Sequence, residues 1–201
     1  GLWMPDNKLT VGIADMKMVK GSGTLITYAL GSCVGICLYD PMIKLAALIH
    51  IMLPLNMEAG RKTPMKYADT GIRETLKEME KNGASRSRIV AKIAGGARMF
   101  DVSGGGSLGT IGQRNIDSVR LALKREGIRL MKEDVGGTVA RTLLFEADTG
   151  RGIIRSFGKP EGWMAPAQIK NKMASAPISR CARMMIAKMT KQMMGTRSIF
   201  Q

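Results

Sequence analysis

The chain has 201 residues, with 31 Lys and Arg against 16 Asp and Glu and an apolar content of 45%. This length can bury a sizeable core in one domain plus an appendage. No apolar run reaches the roughly 18 residues of a membrane-spanning helix, and the N-terminus lacks the apolar stretch of a signal peptide. The three cysteines show no disulfide framework. Composition therefore predicts a cytoplasmic globular protein without a transmembrane helix.

The net charge of +15 is unevenly distributed along the chain. Residues 159–201 carry eight Lys and Arg against one acidic residue, Glu161, whereas residues 1–158 carry 23 against 15. Such an excess favours acidic partners, membrane surfaces or nucleic acid without choosing among them. Aromatic residues make up only 4% of the chain, so the stacking platforms of nucleic-acid-binding proteins are scarce. We therefore expect no nucleic-acid partner.

The N-terminal quarter of the chain predicts antiparallel β structure. Residues 9–19 alternate apolar and polar side chains and predict a first strand, and a glycine turn then leads to a second strand over Thr24–Leu30. Two apolar runs, 34–39 and 45–53, flank an Asp-Pro turn. Because proline presets the first corner of such a turn, these runs indicate a β-hairpin.

The remaining predicted elements include two amphipathic helices, over residues 67–82 and 115–126. The first carries an apolar stripe and ends before Gly83, and the second ends before Gly127, as helices often do. Strands are predicted at 89–94 and 128–133, and 139–147 and 152–157 form a second hairpin. The apolar side chains of the two helices are Ala68, Ile72, Leu76 and Met79 in the first and Ile116, Val119 and Leu123 in the second.

Strands before, between and after two helices predict an α/β or α+β layered domain with a β-sheet core, over residues 1–158. Residues 159–201 are predicted to form a separate basic extension that holds seven of the 17 methionines. Within it, 180–194 fits a basic amphipathic helix that docks on a partner, a membrane surface or the parent domain. A disordered or loosely docked extension is the alternative.

Cys33 and His50, the only histidine, lie on the two strands of the first predicted hairpin. A symmetric turn centred on Pro41-Met42 pairs Cys33 with His50 and Cys37 with Ala46. Directly opposed residues point to the same face with Cβ atoms about 5 Å apart. A one-residue slip would send the two side chains to opposite faces.

A thiol beside an imidazole suits nucleophilic catalysis, because the thiolate is the reactive species and the imidazole activates it. Gly31 and Ser32 precede Cys33, and a tight turn there would leave backbone N–H groups available for an oxyanion. The alternative is structural: Cys33 as a small buried apolar group and His50 as a satisfied core residue. Residue types alone leave both interpretations open.

Metal and nucleotide sites are poorly supported by the spacing of the relevant residues. Cys33 and Cys37 in one strand lie about 13 Å apart, too far for a shared zinc ion or a disulfide. The glycine clusters at 95–96, 104–106 and 136–137 match neither the phosphate-binding P-loop nor the dinucleotide-binding pattern. We therefore expect tight turns there, and neither a metal nor an organic cofactor.

A series of short motifs in a fixed order resembles the CheD family, the chemoreceptor glutamine deamidases of bacterial and archaeal chemotaxis. The resemblance covers residues 9–158. A loop at 104–107 appears longer than the family's, and 159–201 has no counterpart in it. The motifs are Leu30-Gly31-Ser32-Cys33-Val34, Asp40-Pro41, His50-Ile51-Met52-Leu53-Pro54, Lys66-Tyr67-Ala68-Asp69, Lys92-Ile93-Ala94-Gly95-Gly96-Ala97 with Met99-Phe100, Ile111-Gly112-Gln113-Arg114-Asn115, and Glu133-Asp134-Val135-Gly136-Gly137.

The resemblance implies a three-layer domain whose catalytic residues are Cys33, His50 and Thr27. It implies hydrolysis of a receptor glutamine side chain to glutamate, without a cofactor, in methyl-accepting chemoreceptors. A CheC-type phosphatase is the implied regulatory partner, and a receptor methyl-esterase side activity is chemically reasonable. In the predicted mechanism the Cys33 thiolate attacks the amide and protonated His50 gives its proton to ammonia.

Two alternatives from other functional classes remain open at this point. The first is a non-catalytic regulator that only binds the phosphatase or the receptor. The second is a nucleic-acid-binding module that works through 159–201, which steeply salt-dependent binding to duplex DNA would reveal. The presence of all three catalytic residue types favours the enzyme over both.

Overall fold

The computed structural model describes residues 7–57, 62–99, 110–156 and 198–200. Strands dominate this part of the chain, and two α-helices accompany them. In chain order the elements are β1 (Lys8–Thr10), β2 (Met16–Lys20), β3 (Thr24–Leu30), β4 (Val34–Asp40), β5 (Leu45–Ile51), a 3-10 turn (Pro64–Lys66), α1 (Ala68–Lys81), β6 (Val90–Gly95), α2 (Ile111–Arg125), β7 (Arg129–Val135), β8 (Arg141–Glu146), β9 (Gly152–Ser156) and β10 (Ser198–Phe200).

The strands form two five-stranded sheets. Sheet I has the order β1-β3-β8-β9-β10, and sheet II has the order β2-β5-β4-β6-β7. Pairs β1/β3 and β6/β7 are parallel and the others are antiparallel. This mixed, sheet-dominated arrangement with two helices confirms the predicted α+β layered class.

Sheet II is the middle layer, because both of its faces are covered. Successive side chains of β4 and β5 point to opposite faces, as the pleat requires. One face packs against α1 and α2, and the other packs against sheet I. On β4 the helix-facing side chains are Val34, Ile36 and Leu38, and those facing sheet I include Cys37 and Tyr39.

The first predicted helix is confirmed and the second begins earlier than predicted. The apolar stripe of α1 is fully buried, and Gly83 follows the helix with φ 95°, a left-handed conformation that favours glycine. Helix α2 begins at Ile111 rather than at 115. The first turn was not predicted because it contains Gly112, and glycine is a weak helix former. A Cβ on Gly112 would lie 2.6 Å from the Gly96 carbonyl oxygen, so close packing requires a glycine there.

The single first strand predicted over 9–19 is wrong: the chain forms β1 and β2, which belong to different sheets. Between them Ala14 adopts a left-handed conformation (φ 57°) and donates its N–H to the His50 carbonyl at 2.8 Å. The Val11 N–H bonds to Ile26 of sheet I at 2.7 Å. The chain therefore crosses from one sheet to the other within five residues, which alternation alone does not predict.

The predicted hairpin is formed by β4 and β5, but its register differs from the prediction. Gly35, rather than Cys33, lies opposite the histidine of β5. Cys37 lies opposite Leu48 rather than Ala46. Because the offset is two residues, each side chain keeps the face on which it was predicted to lie.

The register shift arises at the turn. Asp40 pairs with Leu45 rather than with Ile43, the partner that the predicted register requires, so the loop holds four residues and not two. The Asp40 carboxylate accepts the Met42 N–H at 3.1 Å, an Asx turn that starts the loop. Lys44 closes it in a left-handed conformation with φ 50°.

The C-terminal part of the described chain returns to sheet I, where β10 pairs antiparallel with β9. The amphipathic helix predicted at 180–194 lies outside the described residues, and the domain boundary at 158 stays a prediction. In the part of the chain that the structure describes, no helix has the length and apolar character needed to span a membrane.

Candidate active site

Thr27 on β3 and His50 on β5 meet between the two sheets. Thr27 Oγ1 lies 2.7 Å from His50 Nδ1 and 2.8 Å from the carbonyl oxygen of Val11. Thr27 is 0% exposed and His50 is 1% exposed. The backbone of His50 is fixed as well, since it donates to the Asp15 carbonyl at 3.0 Å and accepts from the Ala14 N–H. The imidazole is therefore held by both its ring and its backbone.

The tautomer of His50 follows from which partners can donate. The Val11 carbonyl can only accept, so the Thr27 hydroxyl donates to it and accepts from Nδ1–H of the ring. Burial lowers the pKa of His50 to about 4, so the ring is neutral near neutral pH. Nε2 then carries a lone pair, and this buried atom has no hydrogen-bond partner among the described residues. His50 thus presents a basic nitrogen that no described residue binds.

Cys33 lies one residue before β4, half-buried, and packs against the apolar cluster between the sheets. His50 also faces sheet I, as its bond to Thr27 shows, so both side chains lie on the same side of sheet II. Burial raises the pKa of the Cys33 thiol, and a hydrogen bond from its own backbone N–H opposes this rise. In the described residues no hydrogen bond joins the thiol to His50 Nε2.

Cys37, four residues further along the chain, has a different environment. It is 1% exposed, and burial raises the pKa of its thiol far above the ordinary value, with the Lys92 ammonium opposing the rise. Such a thiol stays protonated and shielded from reagents. Of the two cysteines on this face, only Cys33 is accessible.

The turn before Cys33 is bonded through its carbonyl groups. The Gly31 carbonyl accepts from Ala97 N–H at 2.7 Å, and the Cys33 carbonyl accepts from Gly96 N–H at 2.8 Å. Between these bonds, the N–H of Ser32 and that of Cys33, which bonds to the sulfur of its own residue, donate to no other residue in the described part of the chain. These are the two donors that an oxyanion would need.

Two glycines, Gly95 and Gly96, pack directly beneath this turn. A Cβ on Gly95 (φ 114°) would lie 2.3 Å from the Cys33 carbonyl oxygen. A Cβ on Gly96 (φ 66°) would lie 2.4 Å from the side chain of Ile116 on α2. Their role is close packing of three backbone segments, in keeping with the turn interpretation and not with a phosphate cradle.

Asn115 is a site residue for which sequence analysis predicted no role. Its side-chain amide donates to the Ser32 carbonyl at 2.9 Å and to the Met52 carbonyl at 2.8 Å. Ser32 precedes Cys33, and Met52 follows His50 by two residues, so one side chain joins the two halves of the site. The available signal was a polar residue at the start of a helix, directly before its first core position, Ile116.

Several of the resembling motifs meet at this site through backbone bonds. Gly136 N–H donates to the Gly95 carbonyl at 2.9 Å, and Arg98 N–H donates to the Gly137 carbonyl at 2.8 Å. The Lys66 carbonyl accepts from the N–H groups of Met52 and Leu53. Motifs that are far apart in sequence therefore support the segments that carry Cys33 and His50.

Metal ligands are not clustered in the described residues, where no group of three or more His, Cys, Asp and Glu could hold an ion. The chemistry available at the site is that of its thiol, imidazole and hydroxyl groups. A threonine-held histidine and an accessible cysteine on the same side of sheet II, in a two-sheet α+β domain, are the side-chain types of a cysteine-dependent acyl-transfer site.

Comparison with known proteins narrows this class to one family. A family model described as CheD, chemotactic sensory transduction, matches residues 52–156. A relative from Syntrophomonas wolfei subsp. wolfei, named "Probable chemoreceptor glutamine deamidase CheD", is 47% identical over 154 residues, covering 76% of this chain and 96% of the relative. A relative of the same name from Symbiobacterium thermophilum is 44% identical over 162 residues, covering 79% of this chain and 98% of the relative. The chain belongs to the CheD family.

Proposed function

We propose that the chain is a chemoreceptor glutamine deamidase of chemotaxis, with Cys33 as nucleophile, His50 as general acid and base, and Thr27 as the residue that orients His50. The family and the names of its relatives support the reaction. The observation that carries the residue roles is the Thr27–His50 hydrogen bond, which leaves a lone pair on Nε2.

In the first half of the reaction the Cys33 sulfur attacks the carboxamide carbon of a glutamine side chain. His50 Nε2 takes the thiol proton as the S–C bond forms, and the carbonyl electrons move to oxygen. The N–H groups of Ser32 and Cys33 stabilise this oxyanion. The imidazolium then donates its proton to the departing nitrogen, so ammonia leaves and a thioester remains.

In the second half His50 Nε2 accepts a proton from water while the water oxygen attacks the thioester carbon. The tetrahedral intermediate releases the Cys33 sulfur, which recovers the proton from His50. The product is a glutamate side chain, and no group besides water and the substrate is consumed. Thr27 stabilises the imidazolium in both halves, because its oxygen accepts from Nδ1–H.

This scheme differs from the sequence-based mechanism in the resting state. That mechanism begins from a thiolate and a protonated His50, but burial favours the uncharged form of both groups. We therefore infer a neutral pair in the free enzyme, with proton transfer coupled to attack. A methyl ester of glutamate fits the same thioester route, so receptor methyl-esterase activity belongs to the proposal. Regulation by a CheC-type phosphatase also belongs to it, because the family resemblance implies that partner.

A non-catalytic regulator is the second candidate, and a buried imidazole nitrogen without a described partner argues against it. In a purely structural role, an unpaired buried nitrogen only destabilises the folded chain, whereas in an active site the same nitrogen can accept a proton.

The test is mass spectrometry of a chemoreceptor cytoplasmic fragment incubated with the protein. We expect each converted glutamine to gain about one dalton, and Cys33→Ala to lower the rate by at least about 10⁴-fold. Cys37→Ala is the matched control, because it removes a thiol from the same face of sheet II, four residues further along the chain. If Cys33→Ala retains full activity, Cys33 is not the nucleophile.

A further inference from the structure

The two proposed oxyanion donors belong to peptide units whose carbonyl groups are already bonded. A peptide unit is planar and trans, so its C=O and N–H point in opposite directions. The described chain contains no cis peptide. The bond from Ala97 N–H to the Gly31 carbonyl therefore fixes the direction of the Ser32 N–H. The bond from Asn115 to the Ser32 carbonyl fixes the direction of the Cys33 N–H in the same way.

Asn115 has no other evident reason to occupy its position. It is 0% exposed, and its Oδ1 has no hydrogen-bond partner among the described residues. Burying an amide with an unpaired acceptor is unfavourable, and an apolar side chain would avoid that cost. Both partners of Nδ2 are backbone carbonyls, which can only accept, so the orientation of the amide is fixed. The two hydrogen bonds that this amide donates are therefore the reason for an asparagine at this position.

We propose that Asn115 is a positioning residue that aims the Cys33 N–H at the oxyanion and holds the nucleophile turn against the end of β5. This inference rests on the proposed function. One Nδ2 proton sets the Ser32–Cys33 peptide plane, and the other binds Met52, two residues after His50. Loss of Asn115 thus affects an interaction that is strongest in the transition state, with little effect on substrate binding.

The experiment compares Asn115→Asp and Asn115→Ala with Ser118→Ala. Asn115→Asp keeps the side-chain shape, but its carboxylate cannot donate to either carbonyl. Asn115→Ala removes both bonds without adding charge. Ser118 is the matched control, since its hydroxyl on the same helix donates to the Pro54 carbonyl at 2.9 Å, away from the nucleophile turn.

We expect both Asn115 variants to lower kcat for deamidation of the receptor fragment by about 10- to 100-fold with KM nearly unchanged. Alkylation of Cys33 by iodoacetamide needs no oxyanion, so its rate should stay within about threefold of the wild type. Ser118→Ala should change neither rate. A folded Asn115→Asp protein with wild-type kcat would overturn the proposal, and so would a parallel fall of kcat and alkylation.

A measurement on the wild-type protein keeps the proposal testable if the variants do not fold. A peptide with glutamine replaced by its side-chain aldehyde adds the Cys33 sulfur to its carbonyl carbon, and the oxygen keeps the displaced electron pair and takes up the thiol proton. In a crystal structure of this adduct we expect that oxygen about 2.7–3.1 Å from the Cys33 nitrogen. An oxygen directed away from this N–H refutes the role of Asn115. Wild-type protein that leaves receptor glutamines unchanged refutes the proposed function instead.

Discussion

The turn end and the open end of the β4–β5 hairpin both bury polar groups, and the two ends bond them differently. At the turn end, the carboxylate of Asp40 accepts hydrogen bonds from the backbone of Met42 and Ser85 and from the guanidinium of Arg88. At the open end, His50 Nε2 and Asn115 Oδ1 have no partners among the described residues.

The pKa shifts of the two ends follow from this difference. Burial alone would raise the pKa of Asp40, but the hydrogen bonds from Arg88, Ser85 and Met42 hold it below its ordinary value. Burial lowers the pKa of His50, and its ring bonds to the neutral Thr27 hydroxyl rather than to a charged partner. Fully bonded polar groups stabilise the fold, and incompletely bonded ones are available to a substrate. The same hairpin therefore anchors the domain at one end and carries the candidate active site at the other.

The largest effect is expected at the turn end, on stability. Asp40→Asn removes the charge that Arg88 binds, and we expect the unfolding constant to rise about 100-fold, with Tm lower by roughly 5–10 °C. The deamidation rate of the folded variant should stay near that of the wild type, since Asp40 lies far along β4 from Cys33. Thermal unfolding and deamidation assays measure the two effects.

Asp117→Asn provides the control for this substitution. Asp117 has a side chain 62% exposed and a salt bridge of 3.5 Å to Arg120, so its loss should hardly change Tm. If Asp40→Asn instead lowers activity and leaves Tm unchanged, the division of roles between the two ends is wrong.

The next effect is expected at the open end, on activity. Thr27→Val removes the acceptor for His50 Nδ1–H, so the ring loses its orientation and the tautomer that exposes Nε2. We expect kcat to fall about 30-fold with KM nearly constant, in steady-state deamidation of the receptor fragment.

Thr75→Val is the comparison for this change, because Thr75 is also buried but its hydroxyl reaches only the Met65 sulfur at 3.6 Å. It should retain wild-type kcat. A Thr27→Val enzyme within twofold of the wild type would show that the threonine does not orient His50.

The smallest expected effect is on the pH dependence of stability. It distinguishes the two ends because His50 and Asp40 titrate in different pH ranges. The pKa of His50 is about 4 in the folded chain against 6.5 ordinarily, so between these values the unfolded chain binds more protons. Stability is therefore lost as the pH falls through this window. We expect the unfolding constant to rise about tenfold from about pH 7.5 to about pH 5.5 in urea titrations.

His50→Gln should remove most of this rise, since glutamine does not titrate. Asp40 contributes to acid destabilisation only near and below its ordinary pKa of about 3.9, because its folded pKa is depressed. The same rise in His50→Gln as in the wild type would assign the effect to another group.

Local patterns predicted the elements whose cause is local. Strand Thr24–Leu30 follows from a β-prone segment between two glycine-containing turns, and helix Ala68–Lys81 from an apolar stripe that ends at Gly83. The break between β1 and β2 could not be predicted, because Ala14 turns to bond His50, which is remote in sequence. The predicted hairpin register was also wrong, because the register depends on the Asx turn made by the Asp40 side chain.

The candidate site was predictable in its residue types and not in its connections. Cys33 and His50 stand out because the chain has few cysteines and one histidine, and Thr27 came from the family resemblance alone. Its bond to His50 joins two sheets, which no spacing rule describes. Asn115 was missed because a polar residue on an amphipathic helix usually faces solvent.

The close packing of Gly95 and Gly96 beneath the turn that precedes Cys33 has a consequence for covalent inhibitors of Cys33. Gly95 and Gly96 are buried against this turn, where no side chain fits between the packed segments. A resistance substitution there would place a Cβ within 2.3 Å of the Cys33 carbonyl oxygen or 2.4 Å of Ile116. It would therefore displace Cys33 itself, so a substitution at either glycine that weakened such an inhibitor would also disturb the turn that carries the thiol.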